Sequence, residues 1–279
     1  MNKRAVKAIA GKDIKAVFSN AQMWIPMLIV PIVFVVFLPI VSIISSKASN
    51  DVFLSKNNIQ YLGRIINSIP SGTLKSQVLS FSSPNQQMAY LMLSYLFAPL
   101  FLLLPVMTSS IISGGSFTGE KEKKTLESLL YSPVDERDLL FAKVLASFIP
   151  AMALTIISSL LYGVILDTVG YKLLFGKFIF PSFNWIITVF WLSPAISLLA
   201  IFLSVCISAK AKEYQEAEQY SVIIILPLMA LFISQMSGVL FVGNMIAFLI
   251  GLGLFILDGV LLKYSSKLFN RQKLFLSQI

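Results

Sequence analysis

The chain has 279 residues, of which 57% are hydrophobic and 13% charged, and its mean hydropathy is +0.83. A soluble domain carries about a quarter charged residues, so these are too few to cover a water-facing surface, and the composition is that of an integral membrane protein. Histidine is absent, which excludes zinc-protease motifs, Ser–His pairs and histidine proton relays, and the lone Cys206 excludes an internal disulfide.

Residues 1–22 predict an interfacial helix rather than a cleavable signal. Val6, Ile9, Ala10, Ile14 and Val17 recur on one side at helical spacing, with Arg4, Lys12 and Lys15 opposite. Apolar runs of the length a bilayer core requires then appear six times. They lie near Trp24–Ser45, Tyr90–Ser113, Phe141–Leu166, Trp185–Ser208, Tyr220–Leu240 and Asn244–Tyr264. Tyr90, Trp185 and Tyr220 sit at span ends, where amphipathic rings prefer the interface. Only MSGVLFVGN separates spans five and six, which predicts a tight helical hairpin. Prolines interrupt five of the six spans, at Pro31, Pro99, Pro105, Pro150, Pro194 and Pro227.

The long polar loop 46–89 contains two half-apolar stretches, Ile59 to Ile66 and Thr73 to Phe81, that predict short helices. Between spans two and three, residues 114–140 are dense in acids and bases. Leu126, Leu129 and Leu130 give a short helix one apolar face, Pro133 ends it, and Asp135 with Asp138 resembles an N-cap for the helix of span three. Such a knuckle offers Glu120, Glu122 and Glu127 to basic groups on a partner and its leucines to a groove. An ordinary solvated loop is the competing reading. GGSFTGEK, from Gly114 to Lys121, is a poor phosphate loop: Glu120 occupies the lysine position and no strand precedes it.

Lysines and arginines fix the orientation. With both termini in the cytoplasm, sixteen fall on inner segments and six outside. The net charge of +9 therefore lies on the face that meets anionic lipid, and nucleic acid is not an expected partner. Residues 264–279 form a cytoplasmic tail.

Polar residues inside the spans point to a pathway or to packing. Ser193, Ser197, Ser204 and Ser208 share one face of span four, and span five carries Ser234 and Gln235. Asp258 is the one carboxylate well inside a predicted span. A near-interface charge paired with Lys263 or a neighbouring helix is favoured over a cation-coupling group. An ion-gradient-driven transporter or channel would show internal repeats or paired intramembrane charges, and a membrane enzyme would show clustered acids. Neither signature is evident.

The loop after span two resembles that of ABC-2-type transporter permeases, which carry a pattern close to E-x-E-x-G-T-L-E-x-L-L-x-x-P-[VI]. The matching residues are Glu120, Glu122, Thr125, Leu126, Glu127, Leu129, Leu130, Pro133 and Val134; Lys124 stands where many relatives have Gly, and Ala142-Lys143 where many have Gly-Lys. The stretches AKAKEYQEAEQY and FGKFIFPSFNW resemble the sodium-exporter-like branch. The resemblance implies an all-α integral membrane protein: six transmembrane helices, an N-terminal interfacial amphipathic helix, and a cytoplasmic coupling helix between spans two and three. It implies one permease domain over 1–279, in the plasma membrane. It also implies ABC ATPase subunits and a second permease subunit, as homo- or heterodimer, as partners. On that reading Glu120, Glu122, Thr125, Leu126, Glu127, Leu129, Leu130 and Pro133 couple to the ATPase. ATP and Mg belong to the ATPase, and this chain binds no cofactor. Ser193, Ser197, Ser204, Ser208, Gln235 and Asp258 are candidates for the translocation path.

Overall fold

The computed structural model describes residues 3–48, 56–69, 73–122, 134–208, 214–237, 239 and 241–268, which are helical apart from short turns and connections. Helix α1, Lys3–Phe18, is amphipathic as its pattern requires, burying Val6, Ala10 and Val17. A sharp corner follows, where the Asn20 side chain accepts from the Gln22 backbone N–H at 3.1 Å and caps α2, Ala21–Lys47.

The loop between the first two spans is built into the fold. Helices α3, Lys56–Ser68, and α4, Thr73–Leu79, fall where the half-apolar stretches predicted them. Leu62, Ile65, Ile66, Val78 and Phe81 join Tyr90, Leu91, Leu93 and Tyr95 in one apolar cluster, so burial holds this loop without a disulfide. Ser83 caps α5 by accepting from the Gln86 N–H at 3.2 Å. The membrane-crossing part of α5 is Pro84–Phe117, and its last regular stretch runs Leu103–Glu122.

Helix α6 spans Glu136–Phe175 and α7 spans Phe183–Ser208; α8 is Tyr214–Met236 and α9 is Asn244–Leu268. Helices α2, α5, α6, α7 and α9 are long and apolar enough to cross a bilayer, while the apolar part of α8 is the shorter Ile223–Met236. The chain is therefore an all-α integral membrane protein. Helix α5 is its axis, with 78% of its apolar window buried against 22% for α2 and 17% for α9. It packs on α6, α7 and α8.

The prolines explain much of the local geometry. Three spans widen into π-helical turns just before a proline: Ile32–Phe37 before Pro39, Met92–Leu96 before Pro99, and Thr188–Leu192 before Pro194. Proline lacks an N–H and its ring collides with the carbonyl four residues back; a wider turn relieves both problems.

The predicted tight hairpin of spans five and six is not how they pack. Among the described residues, α9 lies along α7, and α8 lies along α5 and α7. Two features key α9 to α7. A Cβ on Gly251 would sit 2.4 Å from the Trp191 ring, and that ring stacks on Phe248 with centroids 4.9 Å apart. The short connection brings the ends of α8 and α9 together, but the small residue on α9 chooses α7 as its neighbour.

Candidate functional site

At the α1 end of the bundle, four charged side chains from three helices form one cluster. Lys143, on α6, is fully buried. Its ammonium lies 2.6 Å from Glu120 Oε2 at the end of α5 and 3.4 Å from Asp13 Oδ2 on α1. It also donates to the Ser116 carbonyl at 2.6 Å and to Ser116 Oγ at 2.9 Å. The Ser116 hydroxyl donates in turn to Asp13 Oδ2. Lys12, half-exposed, completes the set by reaching Glu120 Oε1 at 2.6 Å. The Phe117 ring lies under the Lys143 ammonium at 5.1 Å.

Two ammoniums face two carboxylates, so the cluster is neutral as a whole. Burial alone would raise the Glu120 pKa, but Lys143 foremost, and then Lys12, hold the carboxyl below its ordinary range. Burial opposes the charge on Lys12 in the same way, and the Glu120 carboxylate outweighs it and raises the Lys12 pKa. What the cluster does mechanically follows from its connections. The end of α5 and the start of α6 are bolted together, and α1 is clasped to both.

Glu120 was expected to face a basic partner, yet its carboxylate is engaged within the chain. Glu122 ends α5. Thr125, Leu126, Glu127, Leu129, Leu130 and Pro133 lie outside the described residues. Asp135 does occupy the N-cap position of α6, with φ −66° and ψ 143°, but its side chain makes no capping bond. Residues 114–121, which superficially resemble a phosphate loop, are turns of α5.

The pattern of α1 singled out its apolar face but not Asp13, which sits on that face seven residues after Val6. Lys143 was counted among the cytoplasmic cations although it falls inside predicted span three. An acid on an apolar stripe and a cation in an apolar run each need a partner, and that pairing was the available signal.

The four serines of α7 are all buried. Three of them return their hydroxyls to their own helix: Ser193 to the Thr188 carbonyl and Ser197 to the Ser193 carbonyl, both at 2.8 Å, and Ser208 to the Val205 carbonyl at 2.9 Å. Helix α7 packs closely on α5, and small side chains of this kind suit close helix packing.

Gln235 and Asp258 are different. Both are buried, and among the described residues neither Gln235 Oε1 nor either oxygen of Asp258 has a hydrogen-bond partner. Among the described residues no hydrogen bond pairs Asp258 with Lys263 or a neighbouring helix; Asp258 is buried on α9 while Lys263 is exposed. Gln235 lines a cavity of about 210 Å³ enclosed by α5, α7, α8 and α9.

These features define a multispanning helical membrane domain, with charged groups at one end bolting its helices together and, among the described residues, unpaired polar groups in its apolar interior. The chain matches the family model described as ABC-2 family transporter protein over residues 7–276, and so belongs to the ABC-2 transporter family. Among curated proteins, none matches it.

Proposed function

We infer that the chain is the membrane-spanning permease subunit of an ATP-driven exporter. It pairs with a second permease copy or homologue, and it is worked by separate ATPase subunits that hold the ATP and magnesium. The observation that carries this reading is the buried Asp13–Ser116–Lys143–Glu120–Lys12 cluster. It joins the helices on both sides of residues 123–133, the segment whose sequence resembles a coupling helix.

ATP binding closes the ATPases and pushes on that segment. Since α5 and α6 are tied at their ends, they take the push as one body. Helix α1 is clasped to both and leads directly into α2, so the first span follows. A loop free of such ties would absorb the push instead. Both termini lie in the cytoplasm on this reading, in keeping with the sixteen-to-six bias of basic residues, and the membrane is the plasma membrane. Export is the direction favoured by the resemblance of 175–185 and 209–220 to the sodium-exporter-like branch.

The test is the ATP hydrolysis rate of the complex isolated from native membrane in mild detergent. Glu127→Lys and Leu130→Ala should weaken ATPase retention and reduce hydrolysis together. If both variants retain a stoichiometric ATPase at the wild-type rate, the coupling role of this segment is wrong.

A further inference from the structure

At the end of the bundle opposite the ion cluster lies a polar cavity of about 380 Å³. Its walls come from α4, the start of α5, the connection between α6 and α7, and Asn244 at the start of α9. Among the described lining residues Lys177 is the one cation, and none is an acid. Asp167, the carboxylate nearest to Lys177 along the chain, lies outside the lining. Its Oδ1 accepts from the Ile179 and Phe180 backbone N–H groups at 3.1 and 3.2 Å, which pins the connection that carries Lys177. The Lys177 ammonium itself has neutral partners: it donates to Ser80 Oγ at 3.0 Å and lies 3.9 Å from the centre of the Phe81 ring. An ammonium has three donors, so two remain for an anion, and no described acid competes for them.

The neutral polar groups of the same cavity set a second requirement. The Tyr90 hydroxyl donates to Gln77 Oε1 at 3.2 Å, so these two answer each other. Ser182 Oγ and Asn244 Oδ1 line the cavity too, and both atoms are buried with no hydrogen-bond partner among the described residues. Leaving such atoms unpaired is costly, and a ligand hydroxyl, donor and acceptor at once, suits the pair. Charge and size narrow the ligand further. One ammonium matches a single negative charge better than a phosphate dianion. A cavity of about 150 Å³ accepts benzene, so about 380 Å³ suits a body of about a dozen heavy atoms, with Phe81, Phe178 and Phe183 offering it apolar faces.

We propose that this cavity binds a small hydroxylated monocarboxylate, its carboxylate accepting from Lys177 and its hydroxyl meeting Ser182 and Asn244. Binding is a property of this chain alone and is independent of the ATPase on which the transporter reading depends.

The test uses the full chain in phosphatidylcholine nanodiscs without ATPase or nucleotide, with protein-free nanodiscs to subtract partitioning into lipid. Fluorine NMR measures the affinities of three probes: para-fluoromandelate; para-fluorophenylacetate, which lacks the hydroxyl; and the neutral para-fluorophenylethanediol, which lacks the carboxylate. The mandelate should bind saturably and more tightly than the other two. Lys177→Gln should lower its affinity about tenfold, the worth of one hydrogen bond to a charged group, and leave that of the diol unchanged. Ser182→Ala combined with Asn244→Ala should remove the preference for mandelate over phenylacetate. Lys177 is exposed, so its replacement should leave the melting temperature in place, and lost binding then reports the site. Lys172 is exposed but outside the lining, and Lys172→Gln should change nothing. Unchanged mandelate affinity in Lys177→Gln, an equal loss in Lys172→Gln, an equal loss for the diol, or stronger displacement of mandelate by inorganic phosphate than by phenylacetate would each overturn the proposal.

Discussion

Replacing Lys143 with methionine keeps the length and much of the volume of the side chain while deleting the ammonium at the centre of the buried cluster. In the wild type that ammonium lies within 3.4 Å of four acceptors: Glu120 Oε2, Asp13 Oδ2, and the carbonyl and hydroxyl oxygens of Ser116. Without it, Glu120 keeps only the half-exposed Lys12, a weaker partner because solvent screens it. Asp13 keeps the Ser116 hydroxyl. Two buried carboxylates then stand beside each other with one outlying cation. Breaking a buried ion pair from one side typically costs about 3–5 kcal/mol, and Lys143→Met should fall in that range.

The decisive feature is a change of sign in the double variant. Glu120→Gln alone leaves Lys143 with only the longer Asp13 contact as an ion pair and should destabilise; added to Lys143→Met, it removes a carboxylate that has lost its buried partner and should be neutral or stabilising. Unfolding of the four proteins in one detergent, followed by tryptophan fluorescence, gives the cycle. If Lys143→Met costs under about 1 kcal/mol, or if Glu120→Gln costs the same in both backgrounds, the three helices are not tied together in this way.

Three other expectations are open to direct measurement. The Glu120 pKa is depressed from its ordinary 4.5, so the unfolded chain binds the proton first; its stabilising contribution is complete above that value and lost as the pH falls through the lower folded one. The melting temperature should therefore drop as the pH is lowered from roughly 5 to 3, less steeply in Glu120→Gln, and equal slopes would contradict the pairing. A Cβ on Gly163 would sit 2.3 Å from the Phe180 ring, so Gly163→Ala should cost about 1–3 kcal/mol, and the cost should shrink when Phe180 is also cut to alanine. Ile65 is fully buried, so Ile65→Ala should cost about 2–5 kcal/mol; a near-neutral result would mean that the outer helices are not part of the core.

The membrane class, five of the six predicted spans and the two outer helices were legible because each rests on local composition and period; the fifth predicted span corresponds to the shorter apolar stretch Ile223–Met236. The ends of the spans were less so. Helix α5 begins at Pro84, capped by Ser83, and α6 at Glu136, each several residues before its apolar run, because a helix continues into polar sequence once packing supports it. The docking of α9 on α7 was not legible, since it depends on Gly251 meeting Trp191 across some sixty residues. The ion cluster shows the same limit. Glu120 looked like a partner-facing acid and Lys143 like a cytoplasmic cation, Asp13 was not singled out, and only the three-helix junction makes them partners. Conversely, the serine stripe on α7 was read correctly as one face, but periodicity cannot say whether a face meets another helix or an aqueous path.

The most direct test of the central claim is the composition of the complex that comes out of native membrane with this chain. Purified in mild detergent, the chain should carry a stoichiometric P-loop ATPase, and the complex should hydrolyse ATP. A chain that purifies without any nucleotide-binding partner, and moves solute across vesicles on an ion gradient with no ATP present, would contradict it.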